Sequence, residues 1–270
     1  MESKTWFITG ASRGFGHHWA LGALRRGDRV AACARNIDGL EKLREDFGKA
    51  LLPIRLDVTD RSAVSGAVAL AHSHFGALDV VVNNAGYGLH GFVEEVSEQQ
   101  VRAQMETNFF GVLWVTQAVL PYLRRRRRGH IVQVSSVGGV ATAADMGLYC
   151  ATKFAVEALS EALAQEVKPL GINVTIVEPG LFATGFGSAL VRADGIADYA
   201  DIHTDAEKAI AEITGAAGDP ADTVAALLRA VDADDPPLRL LIGAGMLTWL
   251  TGVYEDRIAQ WTTWSEGVVA

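Results

Sequence analysis

Residues 6–26 read WFITGASRGFGHHWALGALRR, and the parsing of this stretch decides the fold. Trp6 to Thr9 is a short apolar run with the character of a buried strand. Phe15 to Arg26 has helical apolar spacing, with Ala20, Leu21 and Leu24 on one side. Between them lies Thr9-Gly10-Ala11-Ser12-Arg13-Gly14-Phe15-Gly16, spaced GxxxGxG rather than GxGxxG. Glycines at a strand-to-helix turn let backbone N–H groups approach a pyrophosphate, which the helix N-terminus also attracts. A glycine-rich loop alone is a weak signal, and its weight comes from the chain around it.

Further strands are expected at Arg29–Ala34, Leu51–Leu56, Leu78–Val82, Ile131–Val134, Ile172–Val177 and Leu238–Ile242. Helical patterns cover Asp38–Phe47, Arg61–Phe75, Ser97–Leu123, Tyr149–Lys168 and Ala221–Val231; Ser97 and Gln100 have capping-box spacing. Such alternation means βαβ units, and right-handed crossovers then favour a Rossmann-type doubly wound parallel sheet. The expectation is a single α/β domain over residues 1–270, with about seven strands and helices on both faces. Within it, residues 1–180 form the cofactor-binding and catalytic core, 181–235 a substrate loop or lid region, and 236–270 the last strand and C-terminal segment. Gly180 to Gly218 breaks the alternation and reads equally as a lid or as an ordinary helical excursion.

A net charge of −8 argues against broad binding to nucleic-acid phosphates. The five-arginine run Arg124–Arg128 reads first as a solvated helix end, and second as a dock for an acidic partner. Two cysteines, Cys33 and Cys150, give neither a disulfide framework nor zinc spacing, and fit a reducing cytoplasm. The opening MESKTWFITG lacks a signal-peptide profile. The longest apolar stretch, Leu240–Tyr254, is shorter than the ~20 residues of a membrane span and reads as a last strand plus a packed segment. No metal, nucleic acid or membrane is expected as a partner.

The chemistry is concentrated in residues 135–153, SSVGGVATAADMGLYCATK. Tyr149 and Lys153, at i and i+4, share one helix face. A phenol ionises near pH ~10, and an ammonium one turn away is expected to lower that value. Ser136 could reach the same point and donate to a carbonyl oxygen. Alone, YxxxK reads more readily as a surface tyrosine and a solvated lysine. At the end of the second strand, Cys33-Ala34-Arg35-Asn36 offers no carboxylate for a ribose 2′-hydroxyl. Arg35 together with Arg13 suits a 2′-phosphate instead, so NADP(H) is expected over NAD(H).

In order, Thr9-Gly10-x-x-x-Gly14-x-Gly16, Asn83-Asn84-Ala85-Gly86, Asn108, Ser136, Tyr149-x-x-x-Lys153 and Pro179-Gly180 resemble the short-chain dehydrogenase/reductases over roughly residues 4–190. NNAGYG at 83–88 and VEPGLFATGF at 177–186 are similar to the 17β-hydroxysteroid dehydrogenase-like bacterial group. The resemblance implies a cofactor site built from Gly10, Ser12, Arg13, Gly14, Phe15, Gly16 and Arg35 in the first two βα units. Asp57 would bond the adenine amine beside Val58, with Asn83, Asn84, Ala85 and Gly86 in the supporting turn. Pro179, Gly180, Phe182 and Thr184 would border the nicotinamide, Thr184 binding its carboxamide. Tyr149 would be the general acid/base, Ser136 its partner on the substrate oxygen, Lys153 the tuning and ribose-binding cation, and Asn108 the holder of a relay water. Phe15 and Phe182 depart from the usual aliphatics, and Phe182 is expected to narrow the pocket.

Tyr87, His90, Met146, Phe182 and Phe186 are expected at the substrate end, and most are apolar, favouring a hydrophobic ketone or aldehyde. His90 reads as pocket-lining or satisfied rather than as a base. The competing class is a non-catalytic NADP(H)-binding redox sensor, which would tend to lose the tyrosine or lysine; epimerase chemistry would want a different glycine spacing. By resemblance, the helices at 97–123 and 149–168 pair between subunits in a homodimer or homotetramer.

Overall fold

Strand β1 (Thr5–Thr9) is buried along its whole length. It pairs in parallel with β2 (Arg29–Ala34) on one side and β4 (Val80–Asn83) on the other. The computed structural model describes residues 3–184, 190–214 and 217–265. Its main sheet is parallel throughout, in the order β3-β2-β1-β4-β6-β7-β9. Here β3 is Leu51–Arg55, β6 Gly129–Val134, β7 Ile172–Pro179 and β9 Arg239–Ile242. The chain builds outward from β1 to β3, then returns to β4 and builds the other way. That reversal leaves a crevice beyond the carboxyl ends of β1 and β4, where open α/β sheets bind ligands.

Successive strand residues point to opposite faces, and the sequence loads both with apolar side chains. Phe7, Ala31, Val81 and Ile131 face one layer, packed by α3 (Arg61–Phe75), α5 (Gly111–Arg126) and α6 (Gly147–Val167). Trp6, Ile8, Val30 and Val132 face the other, packed by α1 (Gly14–Arg25) and α8 (Thr223–Asp232) through Trp19 and Leu227. A fully buried aliphatic such as Leu227 contributes roughly 1.5–3 kcal/mol, enough for one residue to anchor a short helix. The helix α2 (Glu41–Phe47) completes the first half.

The helix expected over Ser97–Leu123 begins with the capping box: Ser97 accepts from the Gln100 N–H while Gln100 accepts from the Ser97 N–H. It is not continuous. A π turn, Glu106–Phe110, separates α4 (Glu98–Met105) from α5. Apolar periodicity does not register one extra residue in a turn. The arginine run is largely exposed at the end of α5, and part of it ties that end to the fold: Arg126 donates to the Leu78 carbonyl at 2.7 Å and to Asp79 at 2.9 Å, Arg128 also reaches Asp79, and Arg127 donates to the Pro169 carbonyl.

Between β7 and α8 the chain makes a helical excursion. A short strand β8 (Val191–Arg192) pairs in parallel with β5 (Leu89–His90), and α7 (Ala200–Thr214) follows. The end of the described chain is the helix α9 (Met246–Ser265), which buries Met246 and Leu250 and exposes Leu247, Ile258, Trp261 and Trp264. Among the described residues no helix is long and apolar enough to cross a membrane, and no group of side chains could hold a metal ion.

Candidate active site

A cleft of about 1160 Å³ occupies the crevice. Its floor at one end is the start of α1. Arg13, the residue before that helix, is extended and makes no capping bond, and the first turn carries no acidic side chain. The start of α1 is therefore left without a side-chain cap from the residue before it, an arrangement that favours an anion there. Gly14 has φ +55°, and a Cβ there would lie 2.7 Å from the Thr184 carbonyl oxygen. A Cβ on Gly16 would lie 2.5 Å from the Gly10 carbonyl oxygen, so Gly16 shapes the loop from behind and does not line the cleft.

The turn after β4 and the glycine loop form one hydrogen-bonded unit. Thr9 Oγ1 accepts from the N–H groups of Asn84 (3.0 Å) and Ala85 (3.1 Å), and Asn84 Nδ2 donates to the carbonyls of Thr9 (2.9 Å) and Gly10 (3.0 Å). Asn83 points the other way, into the core, donating to Thr116 Oγ1 and Gln133 Oε1. Thr9 is thus a bracing residue that reading the motif as a list of glycines misses. Ser12, Arg13, Arg35, Asp57 and Val58 line the far end. Asp57 accepts from the Thr59 N–H and hydroxyl, which fixes its carboxylate at the mouth. Arg13 and Arg35 are exposed and make no ion pair among the described residues. This cradle of close-approach glycines, a helix start without a side-chain cap and two arginines fits a nicotinamide dinucleotide.

Tyr149 sits in the first turn of α6, only 6% exposed, hydrogen-bonded to Ser136. Ser136 Oγ also accepts from the Gly138 N–H at 3.0 Å. Lys153 Nζ lies 5.9 Å from the centre of the Tyr149 ring and donates to the Val134 carbonyl at 2.8 Å. The sequence expectation that Lys153 lowers the tyrosine pKa is corrected here. Burial pushes Tyr149 up to about 12, against the Ser136 hydrogen bond, which lowers it. Burial likewise pulls Lys153 down to about 8, against the Glu157 charge one turn on. Both charged forms lose water, and that burial is the largest cause of the shift in each.

Asn108 is fully buried in the π turn. Its Oδ1 accepts from the Tyr87 N–H (3.1 Å), and its Nδ2 donates to the Tyr87 carbonyl (2.9 Å) and to Thr152 Oγ1 (3.1 Å). The side chain is a brace between the β4 loop and α6 and stands behind the cleft wall rather than in it.

Ala85, Gly86, Pro179, Gly180 and Thr184 line the middle of the cleft, and Tyr87, His90 and Met146 its substrate end; Phe186 lies outside the described residues. Burial raises the Tyr87 pKa, opposed by the charge of Arg35. Phe182 lines the cleft. Its ring packs edge-on against Phe15 at 5.2 Å, and Phe15 stacks on Trp19 at 5.1 Å. The two departures from the usual family pattern therefore touch each other. Val137, Ala141, Leu181, Leu190, Ile210 of α7 and Trp249 of α9 also line the cleft and escaped the sequence reading. Their only sequence signal was apolar residues scattered through stretches without regular period.

Comparison with known proteins agrees with this architecture. Residues 4–195 match the family model for short chain dehydrogenase. Oxidoreductase BOA17 of Botryotinia fuckeliana is 38% identical over 98% of this chain and 97% of its own. A 3-ketodihydrosphingosine reductase of Bacteroides thetaiotaomicron is 40% identical over 90% of this chain and 89% of its own. A short-chain dehydrogenase crystal structure from Streptomyces avermitilis superposes with TM-score 0.91 at 37% identity, covering 98% of this chain and 97% of that one. Two more distant structures, each 26% identical, carry different cofactors. ElxO has NADP bound (TM-score 0.78, covering 92% and 100%), and a Brucella melitensis 3-ketoacyl-(acyl-carrier-protein) reductase is complexed with NADH (0.79, 91% and 98%). With its sheet order, its glycine loop and its Tyr149–Lys153 pair, this chain belongs to the short-chain dehydrogenase family, a family of nicotinamide-dependent oxidoreductases.

Proposed function

We propose that the protein is an NADP(H)-dependent reductase of hydrophobic ketones or aldehydes, with Tyr149 as general acid. The observation that carries this reading is a buried phenol bonded to Ser136, in one cleft with an uncapped helix start and two arginines without ion pairs among the described residues. The cofactor, when bound, supplies the hydride. Arg13 and Arg35 would hold its 2′-phosphate, the start of α1 its pyrophosphate, and Thr184 its carboxamide. Ser136 and Tyr149 direct two hydroxyl donors at the substrate oxygen, stabilising charge where it develops. With its pKa near 12, Tyr149 keeps its proton at neutral pH until that oxygen takes it. Lys153 then steadies the phenolate, and Asn108 keeps the Tyr87 loop and α6 in register. A ketone is also supported by the Bacteroides thetaiotaomicron relative, which is named as a reductase of a keto compound. Two buried free cysteines suit a reducing cytoplasm, and α5 and α6 are the proposed subunit contacts of a homo-oligomer.

The test is oxidation of NADPH and NADH with a panel of apolar ketones and aldehydes, comparing the wild type with Tyr149→Phe. Removing the general acid should cost about 10²–10⁴-fold in kcat. Tight NADPH binding without turnover of any carbonyl compound would return the redox-sensor reading.

A further inference from the structure

His90 closes β5, and its imidazole lines the substrate end of the cleft. Its Nδ1 lies 2.7 Å from Asp145 Oδ2. The Asp145 side chain is 3% exposed, and the residue stands four positions before Tyr149 with a left-handed backbone (φ +68°). A non-glycine residue in that region is held there by its surroundings, and here the Asp145 carbonyl accepts from the Gly91 N–H at 2.9 Å. The other carboxylate oxygen faces His203 Nδ1 at 3.4 Å. His203, on α7, stacks on Phe92 at 3.9 Å, and its Nε2 lies 2.8 and 2.9 Å from the Glu95 oxygens. The hydrogen bond that His203 donates to Glu95 raises the His203 pKa. As an imidazolium, His203 donates to Glu95 through one nitrogen and faces Asp145 with the other.

This arrangement fixes the orientation of the His90 ring. Asp145 has one oxygen turned to His203 Nδ1 and the other 2.7 Å from His90 Nδ1, where an ionised carboxylate can only accept. A neutral imidazole that donates through Nδ1 carries its lone pair on Nε2. That nitrogen is not sealed in the interior, and no protein partner bonds it among the described residues. The same cleft is also lined by the apolar Met146, Val137, Ala141, Leu190, Ile210 and Trp249. An oriented acceptor in a cleft with such apolar lining selects for a matching donor, because a ligand lacking it leaves the acceptor unpaired.

We propose that His90, fixed by Asp145, accepts a hydrogen bond from an O–H or N–H of the substrate, so the preferred substrate is an apolar carbonyl compound bearing a hydroxyl or amine near the carbonyl. This rests on the carbonyl-reduction reading above. The test compares ketones of equal chain length, plain or hydroxylated at the α, β or γ carbon, with NADPH and the full-length protein. The wild type should favour at least one hydroxyketone by about 10-fold in kcat/KM, expressed mainly in KM. His90→Leu should erase that preference, lowering kcat/KM for the favoured hydroxyketone about 10-fold more than for the plain ketone. Absence of preference in the wild type, or an equal loss on every ketone in His90→Leu, overturns the proposal. A second readout needs no turnover. In ¹⁵N-histidine spectra the Nε2 resonance of His90 should shift with the hydroxyketone and stay in place with the plain one; the absence of that difference overturns the proposal whether or not either ketone is reduced. Reduction of no ketone alongside the expected shift would condemn the carbonyl-reduction reading and leave the His90 assignment standing.

Discussion

At the scale of single residues, Lys153 shows what the site costs the fold. Its pKa is about 8 in the folded chain against 10.5 for an ordinary lysine. Between those values the unfolded chain binds more protons, so stability rises as pH climbs from about 8 to 10.5. Below that window, burying the ammonium costs roughly 3 kcal/mol. In urea titrations the wild type should therefore gain stability relative to Lys153→Met across this interval, and parallel curves would refute the burial argument. The Tyr149–Lys153 pairing was legible in the sequence because helix geometry makes i and i+4 neighbours. The direction of the two pKa shifts was not, since it depends on depth beneath the surface, which comes from β6 and α6 packing together. Gly16 offers a second check. An alanine there would press on the Gly10 carbonyl at 2.5 Å and Asn84 Nδ2 at 2.6 Å. Gly16→Ala should lose about 1–3 kcal/mol in thermal unfolding and weaken NADPH binding.

At the scale of elements, two devices join parts of the chain that periodicity treats separately. Phe15 on α1 and Phe182 after β7 form an aromatic contact over the glycine loop. A double-mutant cycle with leucine at each position should return a coupling of about 0.5–1.5 kcal/mol, and additive losses would show the rings to be independent. The second device is the clasp of α7 to the Phe92–Glu95 loop. His203 is raised by its bond to Glu95, and Glu95 is lowered by the same bond together with backbone N–H donors, against its burial. A raised histidine gives its stabilisation in full below its unfolded value and loses it as pH rises through the folded one. A lowered carboxylate keeps its contribution until pH falls through its own depressed value. The clasp should hold between the two, so amide exchange in α7 should speed up on the alkaline side first. His203→Gln should abolish that pH dependence. Neither device was readable beforehand: β5 and β8 are two-residue strands, and α7 arises in a stretch of sequence rich in glycine, alanine and acidic residues.

At the scale of the whole molecule, the parallel sheet and its switch point followed from alternating patterns, because both faces of every central strand are apolar and only a doubly wound sheet buries both. Charge at the cleft's far end makes the last prediction. Arg13→Ala with Arg35→Ala should lower the NADPH-over-NADH preference by 10-fold or more, since two charge-assisted contacts to a dianion disappear. An unchanged ratio would refute assigning the 2′-phosphate to these side chains. The substrate end was the poorly legible part, built from residues far apart in sequence: Met146 before α6, Ile210 on α7, Trp249 on α9. Trp249 carries a consequence for biosynthesis. The residues proposed to hold the dinucleotide have all been synthesised by Thr184, whereas the wall bearing this indole leaves the ribosome only after β9. Because Trp19 of α1 is packed and hydrogen-bonded by α8, the cradle and that wall reach their folded positions with the same late stretch of chain.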